Sequence, residues 1–481
     1  MKKTVFITGA TGNMGNAGFR ELYAKKEKFN IRLLARPSQK NMKMLSQYEK
    51  DPSVTVIWGD LGNYEDVLEG VRGSDYVLHV GGMVSPAADY YPEKTLKVNV
   101  LAAENVAKAV LAQPNADDIK VVYIGSVAQY GDRRRPVHWG TAMDPQCASC
   151  YDMYSLSKCK AEKTIVDSGI RHWVSLRQSG ILYPGIFKGF GPTAYHVPIA
   201  GVLEWATIED SGRLLANVCG DDIPDEFWCR FYNISSGEQY RLSNYEFESY
   251  LIGGLGLGAP DKVFAPHWFA TRNFHGMWYE DADELEKYCH FRANVPVDEY
   301  MKRLQKQLPW YFSLARIVPP ALVKPFLEPA TKEEKYGTQW WAVHDEDKLN
   351  AYYGSREQYL AIKSWDQMKP PYMEKNLEKA RANGEVKTLD KGWDTHKSVY
   401  DLSREEIEAA AGFRGGRFLG PFEKIGQKGV VFDWECEHGH RFTASLEYVL
   451  LGGGWCMECR LDKWKTETTA ANKFVSQLKT D

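Results

Sequence analysis

Short apolar runs punctuate the first third of the chain. Val5-Phe6-Ile7, Ile31-Arg32-Leu33-Leu34-Ala35, Val54-Thr55-Val56-Ile57-Trp58, Tyr76-Val77-Leu78-His79-Val80 and Val121-Val122-Tyr123-Ile124-Gly125 each have the pattern of a buried strand. Helix-compatible stretches separate them, the first from Asn16 to Ala24. Such βα repeats predict an α/β fold with a Rossmann-type, doubly wound parallel sheet. In the second half the most apolar stretch runs from Leu308 to Pro329, but Pro319, Pro320 and Pro325 and the charges of Arg316 and Lys324 exclude a membrane-spanning helix. It is expected to pack on the body of the protein. Residues 331–400 turn polar, with Trp340-Trp341 and a Lys/Glu-rich stretch from Met373 to Lys391, and are expected to form a surface extension linking two folded parts.

At 481 residues the chain exceeds one ordinary domain, and 44% hydrophobic residues permit large cores. A formal net charge of -3 supplies no pull towards nucleic acid or anionic membranes. The first strand begins almost at Met1, leaving no room for a signal peptide, and no apolar run is long enough to span a bilayer, so a cytoplasmic location is expected. The nine cysteines then read as thiols or metal ligands rather than disulfides.

The first strand runs into Thr8-Gly9-Ala10-Thr11-Gly12-Asn13-Met14-Gly15 and a helix start. Glycines let the backbone approach a pyrophosphate, and free N–H groups at the helix N-terminus bind its charge. Arg36 follows the second strand, where an NAD-specific site would place an acid; a cation there suits a 2'-phosphate and favours NADP(H) over NAD(H). Asp60-Leu61, at the end of the third strand, is placed to reach the adenine amino group. Further on, Tyr154-Ser-Leu-Ser-Lys158 sets a phenol and an ammonium one helical turn apart, and Ser126 closes the strand before it. An ammonium within a few Å of the phenol favours the phenolate, suiting proton transfer at a carbinol or carbonyl while a cofactor moves the hydride.

Together these motifs resemble the extended short-chain dehydrogenase/reductases, the NAD(P)-dependent epimerase/dehydratase family. The resemblance rests on Gly9, Thr11, Gly12, Asn13, Met14 and Gly15 in the glycine-rich loop, Asp60-Leu61, and the strand end Val80-Gly81-Gly82 beside the nicotinamide. Asn99 in Lys97-Val98-Asn99-Val100, Ser126, Tyr154 and Lys158, and Leu176 to Pro184 with Tyr183 near the nicotinamide complete it. It covers about the first 260 residues and implies that Ser126 orients the substrate oxygen, Tyr154 is the general acid/base, and Lys158 lowers its pKa and holds the nicotinamide ribose. It also implies a core over residues 1–180, a smaller α/β substrate part over 181–330, and a homodimer formed through the helices around Asn99 and Tyr154. There are departures. Gly81-Gly82 replaces a pair more often alanine, and the loop after Pro184 lacks the asparagine-containing pattern of sugar-nucleotide epimerases. His267-Trp268-Phe269, Phe274-His275 and Met277-Trp278-Tyr279 crowd aromatics where a substrate pocket is expected, tilting the reading towards an apolar or aromatic alcohol or ketone such as a steroid, terpenoid or polyphenol.

Residues 401–481 carry a separate signal: Cys436-Glu-His438-Gly-His440, then Trp455-Cys456-Met-Glu-Cys459. Two cysteine-bearing turns of this kind can supply four tetrahedral ligands to zinc. They resemble zinc-ribbon or treble-clef modules, which makes Cys436, His440, Cys456 and Cys459 the ligands in preference to His438. Four protein ligands leave no open position, so the Zn2+ is expected to be structural. Acids slightly outnumber bases here, which argues against nucleic acid and for a clamp on the enzyme body or a partner-docking knob. A second C-x2-C, Cys147-Ala148-Ser149-Cys150, has no companion pair at ligand spacing.

The favoured function is NADP(H)-dependent oxidoreduction of a hydroxyl or keto group on a small molecule. A sugar-nucleotide epimerase or dehydratase is the alternative within the same fold; Gly125-Ser126-Val127-Ala128 offers no carboxylate for dehydration. A non-catalytic nucleotide sensor with a partner-binding zinc domain is the third reading, opposed by the intact serine, tyrosine and lysine.

Overall fold

Strand β1 (Lys3–Thr8) buries Val5, Phe6, Ile7 and Thr8, on both of its faces, because helices cover the two sides of the sheet it joins. In the computed structural model, which describes residues 2–462 and 470–479, β1 leads through the glycine-rich loop into helix α1 (Asn13–Ala24). Then come β2 (Phe29–Ala35), β3 (Val54–Trp58), helix α2 (Tyr64–Val71), β4 (Tyr76–His79), the long helix α3 (Pro92–Leu111) and β5 (Lys120–Ser126). Helix α4 (Met153–Val166), β6 (His172–Gln178), helix α5 (Ile208–Asn217) and β7 (Arg230–Ile234) complete the sheet layer. The seven strands lie in the order β7-β6-β5-β4-β1-β2-β3, all parallel. The order reverses beside β1, so the crevice at the carboxyl ends of β1 and β4 is where such a sheet takes a ligand.

Helix α1 packs on α5 at unusually short range. A Cβ on Gly18 would sit 2.4 Å from Leu215 Cδ1, and one on Gly212 would sit 2.8 Å from Ala17 Cβ. On the opposite face, α4 begins where Asp152 Oδ1 accepts from Ser155 N at 2.8 Å.

The main sheet layer reaches past the core boundary expected at residue 180, since α5 and β7 belong to it; the rest of residues 181–330 builds a smaller part from two-stranded pairings, among them Val202–Glu204 with Arg241–Ser243, and from helix α6 (Asn244–Gly254). Its core gathers Leu182, Tyr195, Phe247, Leu251, Trp268 and Phe269. Helix α7 (Pro320–Thr331) and the turn before it meet the packing expectation only in part: Phe312, Val323 and Leu327 reach that core, while Trp310, Ile317 and Phe326 are 77, 80 and 83% exposed. Residues 331–400 contain several short helices, and Trp341, Leu349 and Tyr353 among them form a small buried cluster with Ala270.

The C-terminal part comprises helix α8 (Arg404–Phe413) and an antiparallel sheet of β8 (Arg417–Gly420), β9 (Val431–Glu435) and β10 (Arg441–Ser445). It shares a hydrophobic core with the α3/α4 side of the main sheet: Val106, Ile165, Trp173 and Phe231 lie in one cluster with Phe418, Trp434 and Val449. Among the described residues no helix is long and apolar enough to cross a membrane.

Because the two parts share this core, they are expected to unfold together. A Cβ at Gly452 would lie 2.7 Å from Phe231 Cζ. Gly452→Ala should therefore overpack the junction by about 1–3 kcal/mol and lower the midpoint of a single calorimetric transition, not of one of two.

Candidate active site

The glycine-rich loop is shaped by close backbone approach. Gly9 has φ +75°, and a Cβ there would stand 2.7 Å from Gly81 Cα; one on Gly15 would stand 2.2 Å from Gly9 O. The Thr8 hydroxyl fixes the two strand ends, accepting from Val80 N at 3.1 Å and Gly81 N at 3.0 Å and giving its own proton to His79 Nδ1 at 3.0 Å. Burial, helped by the Lys158 charge, pulls the His79 pKa down to about 3, which keeps the imidazole neutral as this bond requires. Thr11, Gly12, Asn13 and Met14 follow at the turn into α1, with Gly12 N bonded to Gly9 O at 2.9 Å. The cradle fits a dinucleotide pyrophosphate, since only glycine leaves the backbone accessible there.

Around it, Asp60 holds Gly62 N at 2.8 Å, and the Leu61 side chain lies against Gly81. Arg36 is exposed just after β2, and its guanidinium makes no hydrogen bond or ion pair with any described residue. Asn99 braces the segment after Gly82: its Oδ1 accepts from Met83 N at 2.7 Å, and its Nδ2 donates to Met83 O at 3.0 Å and Ser157 Oγ at 2.8 Å.

Ser126, Tyr154 and Lys158 come together where β5 ends against α4. Ser126 caps the turn Val127–Tyr130, and Gln129 returns a bond to Ser126 N at 2.8 Å. Ser155 Oγ donates to Ala128 O at 2.6 Å, tying the start of α4 to that turn. Tyr154 is hydrogen-bonded to Ser126. Burial pushes its pKa up to about 12, with Asp152 and Asp89 adding to the rise and the Ser126 bond opposing it. Sequence spacing predicts a lysine that lowers this pKa, and here the direction differs. Lys158 directs its ammonium to Ile124 O at 2.8 Å and is itself pulled down to about 8 by burial, against the opposing pull of Glu162. Desolvation is the largest influence on both groups, outweighing the Ser126 hydroxyl for Tyr154 and the Glu162 carboxylate for Lys158.

A cavity of about 630 Å3, whose lining includes none of Ser126, Tyr154 and Lys158, is bounded by Ser85, Tyr183, Trp205, Phe247, Phe274 and His275 among others. Of the aromatics expected there, Phe274 and His275 reach it, while Trp268, Phe269, Trp278 and Tyr279 lie in buried cores. His275 Nδ1 faces Asp152 Oδ2 at 3.2 Å. Glu248 of α6 was not singled out by sequence. It lines the cavity at 3% exposure, makes no hydrogen bond or ion pair to a described residue, and its pKa is pushed up to about 8 by burial. The available signal was an acid beside Phe247, Leu251 and Ile252 on one helix.

The remaining predicted site residues meet in the C-terminal part. Cys436, His440, Cys456 and Cys459 place four donor atoms within 4.8 Å of one another, with Cys436 Sγ to Cys459 Sγ at 3.4 Å and His440 Nδ1 to Cys459 Sγ at 3.3 Å. His438 is turned to Glu437 instead. One imidazole and three thiols closing around a point suit a tetrahedral zinc ion. Cys147 is half-buried and Cys150 buried, in the segment before α4.

Comparison with known proteins gives a consistent picture. Residues 5–191 match the model of the NAD dependent epimerase/dehydratase family. Relatives include the UDP-glucose 4-epimerases of Rickettsia akari (strain Hartford), 35% identical over 114 residues, and Rickettsia massiliae (strain Mtu5), 34% identical over 114 residues. Each match takes in 23% of this chain and 33% of that protein, so the chain spans about a third of the length of these relatives. Among solved structures, a dTDP-glucose 4,6-dehydratase from Bacillus anthracis str. Ames in complex with NAD shares the fold at a TM-score of 0.50, with 15% identity, covering 64% of this chain and 96% of that one.

Glu248 supports a test on stability. Its folded pKa of about 8 lies above the ordinary carboxyl value of 4.5, so folding loses stability as pH rises from 4.5 to 8. Glu248→Gln should raise the melting temperature at pH 8 by roughly 5 °C, and the gain should vanish below pH 4.5. Calorimetry across that range checks both ends.

Proposed function

We infer that this chain, whose residues 5–191 match the model of the NAD dependent epimerase/dehydratase family, is an enzyme that reversibly oxidises a secondary alcohol on a nucleotide-linked sugar. The observation carrying the reading is the meeting of Ser126, Tyr154 and Lys158 beside a glycine cradle at the switch point of the sheet. Sequence alone favoured an apolar alcohol, whereas the family match and the epimerase relatives favour the nucleotide sugar.

Gly9 to Gly15, Asp60, Leu61 and Val80 to Gly82 would hold the dinucleotide, with Lys158 and Tyr183 towards its nicotinamide end. When bound, the nicotinamide supplies a hydride acceptor for the carbinol carbon. Ser126 hydrogen-bonds the substrate oxygen and fixes its distance from the Tyr154 hydroxyl. Tyr154, a phenol at neutral pH, gives its proton to a carbonyl oxygen when the alcohol is formed and recovers it when the alcohol is oxidised. Lys158 stands one turn away on α4 and is held there by Ile124 O. No carboxylate follows Ser126 in Val127-Ala128-Gln129-Tyr130, which favours retention of the sugar oxygens over dehydration. We assign Cys436, His440, Cys456 and Cys459 to a structural zinc.

A second reading, an apolar alcohol or ketone, is favoured by the cavity itself. Its basic side chains are already engaged: Arg133 pairs with Asp144 at 2.7 Å and Arg134 with Asp132 at 3.1 Å, so neither is free for a diphosphate. Turnover of UDP-glucose and dTDP-glucose against a panel of steroid and terpenoid alcohols, followed by product analysis and dinucleotide absorbance, decides between them. Conversion of the nucleotide sugars is the expected result; conversion of the apolar alcohols alone would replace it.

Tyr154→Phe should cut turnover of the accepted substrate by at least a thousandfold and leave the dinucleotide dissociation constant within about threefold. Arg36→Ala should weaken NADP(H) about tenfold and leave NAD(H) unchanged, as titration of dinucleotide fluorescence would read.

A further inference from the structure

Three consecutive glycines, Gly452-Gly453-Gly454, follow the helical turn Glu447–Leu451, and each is pressed against other atoms. Added Cβ atoms would lie 2.7 Å from Phe231 Cζ, 1.9 Å from Asp144 O and 2.2 Å from Tyr448 Cε1, and Gly453 has φ +65°. The backbone is thereby delivered into the catalytic body. Gly452 O accepts from Arg177 Nη2 at 2.7 Å and Gln146 Nε2 at 3.1 Å, and Gly453 O from Gln146 N at 2.9 Å.

These contacts lead to the reacting groups by two short routes. Arg177 forks onto Glu162, with Nη2 to Oε1 at 2.7 Å and Nε to Oε2 at 3.0 Å, and Gln146 Nε2 joins the same carboxylate at 2.6 Å. Glu162, Lys158 and Tyr154 occupy successive turns of one face of α4. Arg177 Nη1 also donates to Tyr130 OH at 2.9 Å, in the turn that Ser126 caps.

The metal donors bracket this same turn. His440 stands just before β10 and Cys456 just after Gly454 and Trp455, so a metal bound to both closes residues 441–455 into a loop. We propose that a divalent zinc ion in the Cys436/His440/Cys456/Cys459 cluster is a remote lock on the active site: by closing this loop it seats Gly452 and Gly453 on Arg177 and Gln146 and so holds α4 and the Ser126 turn in register. Without the metal the loop regains the freedom that closure removed, and the buried Arg177 and Gln146 lose the acceptors that Gly452 and Gly453 supply. Gln146 and Arg177 are positioning residues. Only the naming of Ser126, Tyr154 and Lys158 as reacting groups rests on the functional reading above.

The test uses the full-length chain, loaded with zinc, stripped by chelation and reloaded. Metal analysis should find one zinc per chain. Hydrogen exchange should rise at least tenfold in residues 126–130 and 142–166 on stripping, with residues 3–80 unchanged, and return on reloading. The NADH dissociation constant should stay within about threefold while turnover of UDP-glucose falls at least tenfold. Gln146→Leu, which leaves the four metal donors in place, should show the same exchange pattern with zinc retained. Absence of zinc binding, exchange confined to residues 436–462, or collapse of NADH binding along with the exchange protection of residues 3–80 would each overturn the proposal. The predicted exchange pattern in a protein that turns over no nucleotide sugar would support the lock and refute the functional reading instead.

Discussion

A guanidinium buried away from water must have its N–H groups matched by acceptors, and Arg177 is the place where this requirement organises the molecule. Its side chain and that of Glu162 are both fully buried. Glu162, Tyr130, Ala142 O and Gly452 O meet the demand, drawn from α4, the turn after β5, the segment before α4 and the C-terminal part. Ser175 adds a hydroxyl to Glu162 at 2.6 Å. A buried ion pair of this kind contributes little net stability against an apolar replacement, but losing one acceptor leaves a stranded charge. Four separate segments are thus committed to one arrangement.

The site inherits its geometry from that commitment. Lys158 and Tyr154 stand on the turns of α4 preceding Glu162, and Ser126 stands at the head of the turn carrying Tyr130. On the other side of the crevice, Thr8 plays a smaller version of the same part, joining the ends of β1 and β4 so that Gly9 and Gly81 face each other. A second buried pair, Arg133 with Asp144, is itself met by Lys391, so residues well beyond the smaller part also fix the cavity wall.

Much of this was legible in the residues. The strand pattern, the glycine-rich loop, the Tyr154–Lys158 spacing and the paired cysteine turns are local, and local spacing survives folding. The preference for His440 over His438 as a metal donor came from a family pattern; in the fold His440 lies with the three cysteines and His438 faces Glu437. The pKa values were not legible, because burial is the largest influence on both Tyr154 and Lys158 and no spacing reveals burial. Aromatics at Trp268 and Trp278 looked like pocket walls for the same reason: hydrophobicity marks a residue for burial without saying whether a cavity or a core receives it. Glu248 was passed over because one acid on a helix reads as solvated until its surroundings are known.

Sequence by itself determined the βα repeat, the chemistry available at Ser126, Tyr154 and Lys158, and the presence of four metal-type donors, since each depends on residue type and short-range spacing. Tertiary structure alone decided that the run Gly452-Gly453-Gly454 is an inserted backbone rather than a flexible turn. It also decided that Arg177 is its recipient and that the C-terminal part shares a core with the catalytic body. Those facts join residues hundreds of positions apart, and what selects them is the need to satisfy buried polar groups, which only the assembled fold imposes.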